Sequence, residues 1–186
     1  MRSALLAIDL QCWFLEVGPP EKLARVADLI ERTNELIDLF HERGLPVVHV
    51  RTVHESDGST WNQWMKQHNT GRLIAGTHEA ETHPDLHIGA TDIVLRKTRH
   101  SAFIRTDLEQ ILRDLGVDTV VLAGFAINAC VGLTAIEAWE RDFKVVLAGD
   151  AILGTTPEEG DLMLDYLRCR FEIEPISNAQ IRAGAT

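Results

Sequence analysis

The sequence predicts an α/β fold, a three-layer α/β/α sandwich built on a doubly wound, mainly parallel six-stranded sheet. Short continuous apolar runs such as Ala4-Leu5-Leu6-Ala7-Ile8 and Val120-Val121-Leu122-Ala123 show no polar alternation, the mark of strands buried on both faces. Between these runs lie stretches whose apolar residues recur at helical spacing and end at glycine or proline. Parallel strands need crossover helices, which cover both faces of the sheet and run right-handed almost without exception.

The first strand, Ala4 to Ile8, ends in Asp9, so its acidic residue sits at the carboxyl end. After Gly18-Pro19-Pro20, apolar residues recur at Leu23, Val26, Ala27, Ile30, Ile37 and Phe40, and Gly44 with Pro46 stops this long amphipathic helix. Pro46 to Thr52, containing Val47-Val48-His49-Val50, is the second strand. Periodicity is lost from about Val53 to Ile88, where Trp61, Trp64, Met65 and five histidines sit among turn-forming residues. Residues 53–90 therefore read as a loop-rich lid that sets specificity.

Order returns with a strand over Asp92 to Lys97, then a helix opened by the capping box Thr106-Asp107-Leu108-Glu109 and closed by Gly116. Thr119 to Gly124 is the next strand. A helix starting near Cys130 places Val131, Ala135, Ala138 and Trp139 on one side. Lys144 to Ala148 forms a fifth strand, Thr156-Pro157-Glu158-Glu159 opens another helix, and a short strand near Phe171 to Ile173 ends the pattern.

A length of 186 residues with 45% hydrophobic content suits one domain over residues 1–186. The net charge of −10, from 28 acidic against 18 basic residues, repels phosphate backbones and anionic lipids, which argues against nucleic acid and membrane as partners. No apolar run approaches the ~20 residues that span a bilayer. Met1 to Ile8 is broken at once by Asp9, unlike a secretory leader, so the expected location is cytoplasmic. Cys12, Cys130 and Cys169 are widely spaced and suggest neither a disulfide framework nor a thiolate zinc knot. Cys12 is expected to be a half-buried packing thiol and Cys169 a core residue. Cys130, taken without its neighbours, would also read as a structural cysteine.

In such sheets ligands bind beyond the carboxyl ends of the strands, which draws Asp9, Arg51, Lys97 and the turn from Gly124 to Cys130 into one cleft. An acid, an ammonium and a thiol together are what nucleophilic catalysis needs. A thiol opening a helix beside an ammonium is expected to have a lowered pKa.

Three blocks in order carry a resemblance: Ala7-Ile8-Asp9-Leu10-Gln11 with Phe14; Lys97 with Ser101-Ala102-Phe103 and Thr106-x-Leu108; and Gly124 through Cys130-Val131 with Thr134-Ala135-x-x-Ala138, followed by Asp150-Ala151. Over nearly its whole length the chain resembles the isochorismatase-like hydrolases, which include nicotinamidases and carbamoylsarcosine amidases. The resemblance implies a Rossmann-like strand order and a small-molecule substrate whose amide-like carbonyl Cys130 attacks. Asp9 would shuttle the proton, Lys97 would favour the thiolate, and a thioester would form. It further implies an oxyanion hole from the backbone N–H groups of Ala126 and Cys130, with a cis peptide at Phe125-Ala126. Family members associate as homodimers or homotetramers, for which a surface around Trp139 and Phe143 could serve.

Nicotinamidases of this family hold a metal through an Asp-x-His motif after the second strand, where this chain reads Arg51-Thr52-Val53-His54. No metal and no cofactor is expected, and His54, His78, His83 and His87 read as exposed loop residues. Gln11, Phe14, Arg51, Trp61 and Phe125 are the candidates for substrate contact. Gln11 could instead cap the following turn, Arg51 could be an ion-pair partner, and Trp61 with Trp64 could form a small satellite core. A cysteine favours C–N cleavage over the vinyl ether cleavage of isochorismatases themselves; a silent binding or assembly module is the other alternative.

Overall fold

The computed structural model of the chain describes residues 2–184. Its elements, in order, are β1 (Ser3–Ile8), α1 (Cys12–Glu16), α2 (Pro20–Leu23), α3 (Val26–Glu42), β2 (Val47–Thr52), α4 (Gln63–His68), β3 (Ile93–Lys97), α5 (Leu108–Asp114), β4 (Thr119–Phe125), α6 (Gly132–Trp139), β5 (Lys144–Leu153), α7 (Pro157–Phe171), β6 (Pro175–Ile176) and α8 (Asn178–Arg182). The sheet has the order β3-β2-β1-β4-β5-β6, and every paired strand is parallel, so the expected doubly wound sheet is fully rather than mainly parallel. Chain direction across the sheet reverses between β1 and β4, the place where such folds open a crevice at the strand ends.

Alternation along the strands divides the core in two. Ala4, Leu6 and Ile8 of β1 face α5, α6 and α7, packing with Leu108, Leu112, Ala135, Ala138 and Leu167. Leu5 and Ala7 face the other way, onto Leu29, Ile30, Leu36, Ile37 and Phe40 of α3 and Ile181 of α8. Both faces of the sheet are thus apolar, which is why the strands read as continuous runs. Gly124 is required where β1 and β4 come together: its φ is +118°, and a Cβ there would lie 2.1 Å from the carbonyl oxygen of Ile8.

Several details differ from the sequence reading. The helix after Phe103 begins at Leu108, and its N-cap Asp107 makes no side-chain cap. Thr106 Oγ1 instead accepts from Leu108 N and donates to the Ala102 carbonyl, so the capping box does not form. The last strand is Pro175–Ile176 rather than Phe171 to Ile173, because α7 continues through Phe171 and stops only where Glu172 turns left-handed at φ 56°. Cys169 lies on the exposed side of α7 and is not core, whereas Cys12 is fully rather than half buried. Phe143 is core, while Trp139 stays 45% exposed, so the two do not share a surface. Among the described residues no helix is long and apolar enough to cross a membrane.

Residues 53–90 are more ordered than their composition suggests. They hold α4, capped by the Asn62 side chain on Met65 N, and a single 3-10 turn over His78–Ala80. Bridges His54–Ile74 and Gln11–Thr82 tie the segment to itself and to the end of β1.

Candidate active site

Asp9, Lys97 and Cys130 meet at the carboxyl ends of β1, β3 and β4. Lys97 Nζ lies 2.7 Å from Asp9 Oδ2 and 3.3 Å from Cys130 Sγ, which places the ammonium between acid and thiol. The side chains of Asp9 and Lys97 are wholly buried. Such a pair persists only when its remaining polar atoms are satisfied. Asp9 Oδ1 accepts from Thr52 N at 3.0 Å and Thr52 Oγ1 at 2.9 Å. Lys97 Nζ donates also to Thr52 Oγ1 at 2.6 Å and to the Arg99 carbonyl at 3.1 Å. Asp9 adopts φ 53°, a left-handed conformation that a non-glycine residue takes at some cost and that cores of active sites often contain.

Burial by itself would drain charge from Lys97, but the Asp9 carboxylate and the sulfur outweigh it and hold the ammonium's pKa above its ordinary value. The thiol behaves oppositely to the sequence expectation. Burial first, and then the negative charge of Asp9, push the Cys130 pKa up more strongly than Lys97 pulls it down. Burial and Asp9 thus favour the protonated Cys130 thiol over a standing thiolate.

The turn that carries Cys130 is specialised. Ile127–Val131 winds as a π-type turn before α6, a local widening that recurs at functional sites. Gly132 closes it, since a Cβ there would sit 2.2 Å from the Ile127 carbonyl oxygen. The Phe125–Ala126 peptide is cis. The Ala126 carbonyl accepts from Ala129 N and Val131 N.

Comparison with known proteins identifies the family. The isochorismatase domain family model matches residues 3–180. The chain belongs to the isochorismatase family. Its relatives include a probable inactive nicotinamidase of Arabidopsis thaliana, 31% identical over 163 residues that cover 84% of this chain and 83% of the relative. Maleamate amidohydrolase of Pseudomonas putida is 31% identical over 158 residues, covering 81% of this chain and 72% of that enzyme. The crystal structure of an isochorismatase family protein from Desulfovibrio vulgaris superposes with TM-score 0.88 at 28% identity, over 98% of this chain and 97% of that one.

In this isochorismatase-family hydrolase, the residues expected to contact substrate divide. Phe14 and Phe125 come together with ring centroids 5.7 Å apart, and Lys22 Nζ lies 4.7 Å from the Phe125 ring. Gln11 is fully committed elsewhere. Its amide nitrogen donates to the carbonyls of Thr52 and Ala80, and its oxygen accepts from Thr52 N, so it neither caps α1 nor reaches for a ligand. Arg51 follows the pleat to the face opposite Thr52 and Lys97, and its nearest polar contact is Thr82 Oγ1 at 3.4 Å. It is not gathered with Cys130 and, among the described residues, forms no ion pair, while its Nε is buried without a partner. Trp61 folds into its own segment, donating to the Glu55 carbonyl and lying over Gly58 and Gly71. Trp64 is 52% exposed and stacks on His68.

The Asp-x-His metal centre of the nicotinamidases does not fit these residues. The spacing to His54 puts Thr52, which bonds to Asp9 and Lys97, where the acidic ligand would stand, and His54, buried rather than exposed, turns Nδ1 to the Thr60 carbonyl at 3.0 Å. No catalytic step is routed through a metal there. Two residues escaped the sequence reading. Thr52 sits at the end of β2, and the one signal that touches it is that it stands two residues before His54, at the acidic position of the Asp-x-His motif. His100 brings Nδ1 to 3.5 Å from Cys130 Sγ, and burial, then the Lys97 charge, keeps its pKa low and its ring neutral. Its place three residues after Lys97 was the only available hint.

Proposed function

We propose that the protein hydrolyses the C–N bond of a small amide, carbamoyl or ureido compound through a thioester on Cys130. The single observation that carries this reading is the position of Lys97 Nζ between Asp9 Oδ2 and Cys130 Sγ. A buried thiol next to a carboxylate loses its proton only as it attacks, so Asp9 takes the proton while Sγ bonds to the carbonyl carbon. The backbone N–H groups of Ala126 and Cys130, on either side of the turn after the cis peptide, receive the developing oxyanion. Asp9 then gives its proton to the nitrogen, the C–N bond breaks, and ammonia or an amine departs. Water, deprotonated by Asp9, attacks the thioester and releases the acid and the thiol. Lys97 stays charged throughout, balancing whichever of Asp9 and Cys130 is negative.

The likeness to maleamate amidohydrolase places maleamate first in a panel of small amides and ureas assayed for ammonia or amine release. Turnover by the wild type, abolished in both Cys130→Ala and Asp9→Asn, is the expected result. Isochorismate assayed alongside the panel separates the alternative: its cleavage surviving in Cys130→Ala but lost in Asp9→Asn would instead indicate ether cleavage. A panel with no turnover at all would mark a silent pocket.

A further inference from the structure

A second group of reactive side chains lies outside this site. Cys12 Sγ, a carboxylate oxygen of Glu16 and a ring nitrogen of His78 all lie within 4.8 Å of one another. We propose that Cys12, Glu16 and His78 bind one zinc-class divalent cation, which staples the 78–83 segment to the helix that follows Asp9.

The donors suit that ion. Cys12 and Glu16 are four apart in α1 and therefore share a face, and His78 opens the facing 3-10 turn. A thiolate, a carboxylate and a neutral imidazole supply two negative charges for a dication, and a sulfur–nitrogen set selects zinc over calcium or magnesium. Tetrahedral coordination needs donor separations of roughly 3.3 to 3.6 Å. His78 Nε2 and Glu16 Oε2 now touch at 2.7 Å, and both are exposed enough to part by the required amount. Water completes the fourth position.

The approach is held from below by the backbone. Cys12 N donates to the Glu81 carbonyl at 3.0 Å, and Gln11 bridges to Thr82. Without a cation the same surroundings are unfavourable to charge: burial, then the Glu16 carboxylate, push the Cys12 thiol up to about 11. A dication reverses that field, and the thiol proton leaves to solvent as the metal–sulfur bond forms. These residues sit on α1 and the 78–83 turn, not in the Asp-x-His position after β2. The staple bears on the catalytic cluster, because the clamped segment carries the Ala80 carbonyl that holds Gln11, and Gln11 holds Thr52 against Asp9.

Cobalt(II) titration of chelator-treated protein tests the assignment without reference to any substrate. One equivalent is expected to bind with a thiolate-to-cobalt charge-transfer band in the near ultraviolet, displaced by zinc. The band should vanish in Cys12→Ser, persist in Cys130→Ala, and require roughly tenfold or more higher cobalt in Glu16→Gln and His78→Asn. Zinc should also slow amide exchange in residues 78–83. Glu16 and His78 are exposed, so their variants fold whatever the fate of the buried Cys12 substitution. Absence of the band in the wild type, its survival in Cys12→Ser, or unchanged affinity in both surface variants would overturn the proposal.

Discussion

The Nδ1 of His100 lies 3.5 Å from the Sγ of Cys130, which Lys97 Nζ also approaches, at 3.3 Å. In the proposed mechanism, a neutral ring protonated at Nδ1 would donate to the sulfur as negative charge develops during attack. A hydrogen bond to a charged partner is worth about 1.5–3 kcal/mol. His100→Phe is accordingly expected to lower kcat by roughly ten- to a hundredfold on whatever amide the wild type turns over, with KM little changed. His100→Gln, which keeps a donor, should recover part of the loss. Unchanged kcat in His100→Phe would remove the residue from the mechanism.

Thr52 joins the two charges from the other side, its Oγ1 donating to Asp9 Oδ1 and accepting from Lys97 Nζ. Thr52→Val removes both contacts from a wholly buried ion pair. A destabilisation of about 1–3 kcal/mol is expected from the urea midpoint, together with a fall in kcat. Thr52→Ser should restore both. A valine variant as stable and active as the wild type would show that the hydroxyl is incidental.

Two glycines separate backbone strain from steric exclusion. Gly116 has φ +67° with nothing within 4 Å of a Cβ, so Gly116→Ala should cost only about 1–2 kcal/mol. Gly124→Ala drives a methyl to 2.1 Å from the Ile8 carbonyl oxygen and must part β1 from β4. Its loss of stability should exceed that of Gly116→Ala by at least about 2 kcal/mol and take Cys130 reactivity with it. Equal losses would mean that the strand ends yield easily.

Mild acid should weaken the fold through two buried histidines. His49 and His54 are both buried, and burial leads the causes that lower their pKa below the ordinary 6.5, against the opposing pull of Asp92 and of the Thr60 carbonyl respectively. Their folded pKa values lie below the unfolded ones, so unfolding takes up protons. Their contribution is complete above about pH 6.5 and is lost as pH falls through the folded values, at up to ~1.4 kcal/mol per pH unit for each. Urea midpoints between pH 7.5 and 5 should decline, and His49→Gln should flatten the slope. A midpoint constant over that range would contradict the assignment.

Much of this molecule was legible in its sequence because the relevant signals are local. Apolar runs of strand length and helical periodicity state their own burial, and the resemblance in three ordered blocks brought Asp9, Lys97 and Cys130 together before any geometry was known. Charge balance likewise follows from composition alone.

What only the tertiary structure decided are the pairings between residues far apart in sequence. Thr52 and Gln11 are 41 residues apart, and nothing local says that the amide of Gln11 is spent on the backbone of Thr52 rather than on a ligand. Arg51 and Thr52 are neighbours in sequence but lie on opposite faces, a distinction set by strand register and not by residue type. Whether Cys130 rests as thiol or thiolate depends on depth of burial and on how closely Asp9 approaches, which are sums over the whole surrounding structure. The chain thus names its chemical groups, while only the fold sets the distances and burial that fix their charge and their partners.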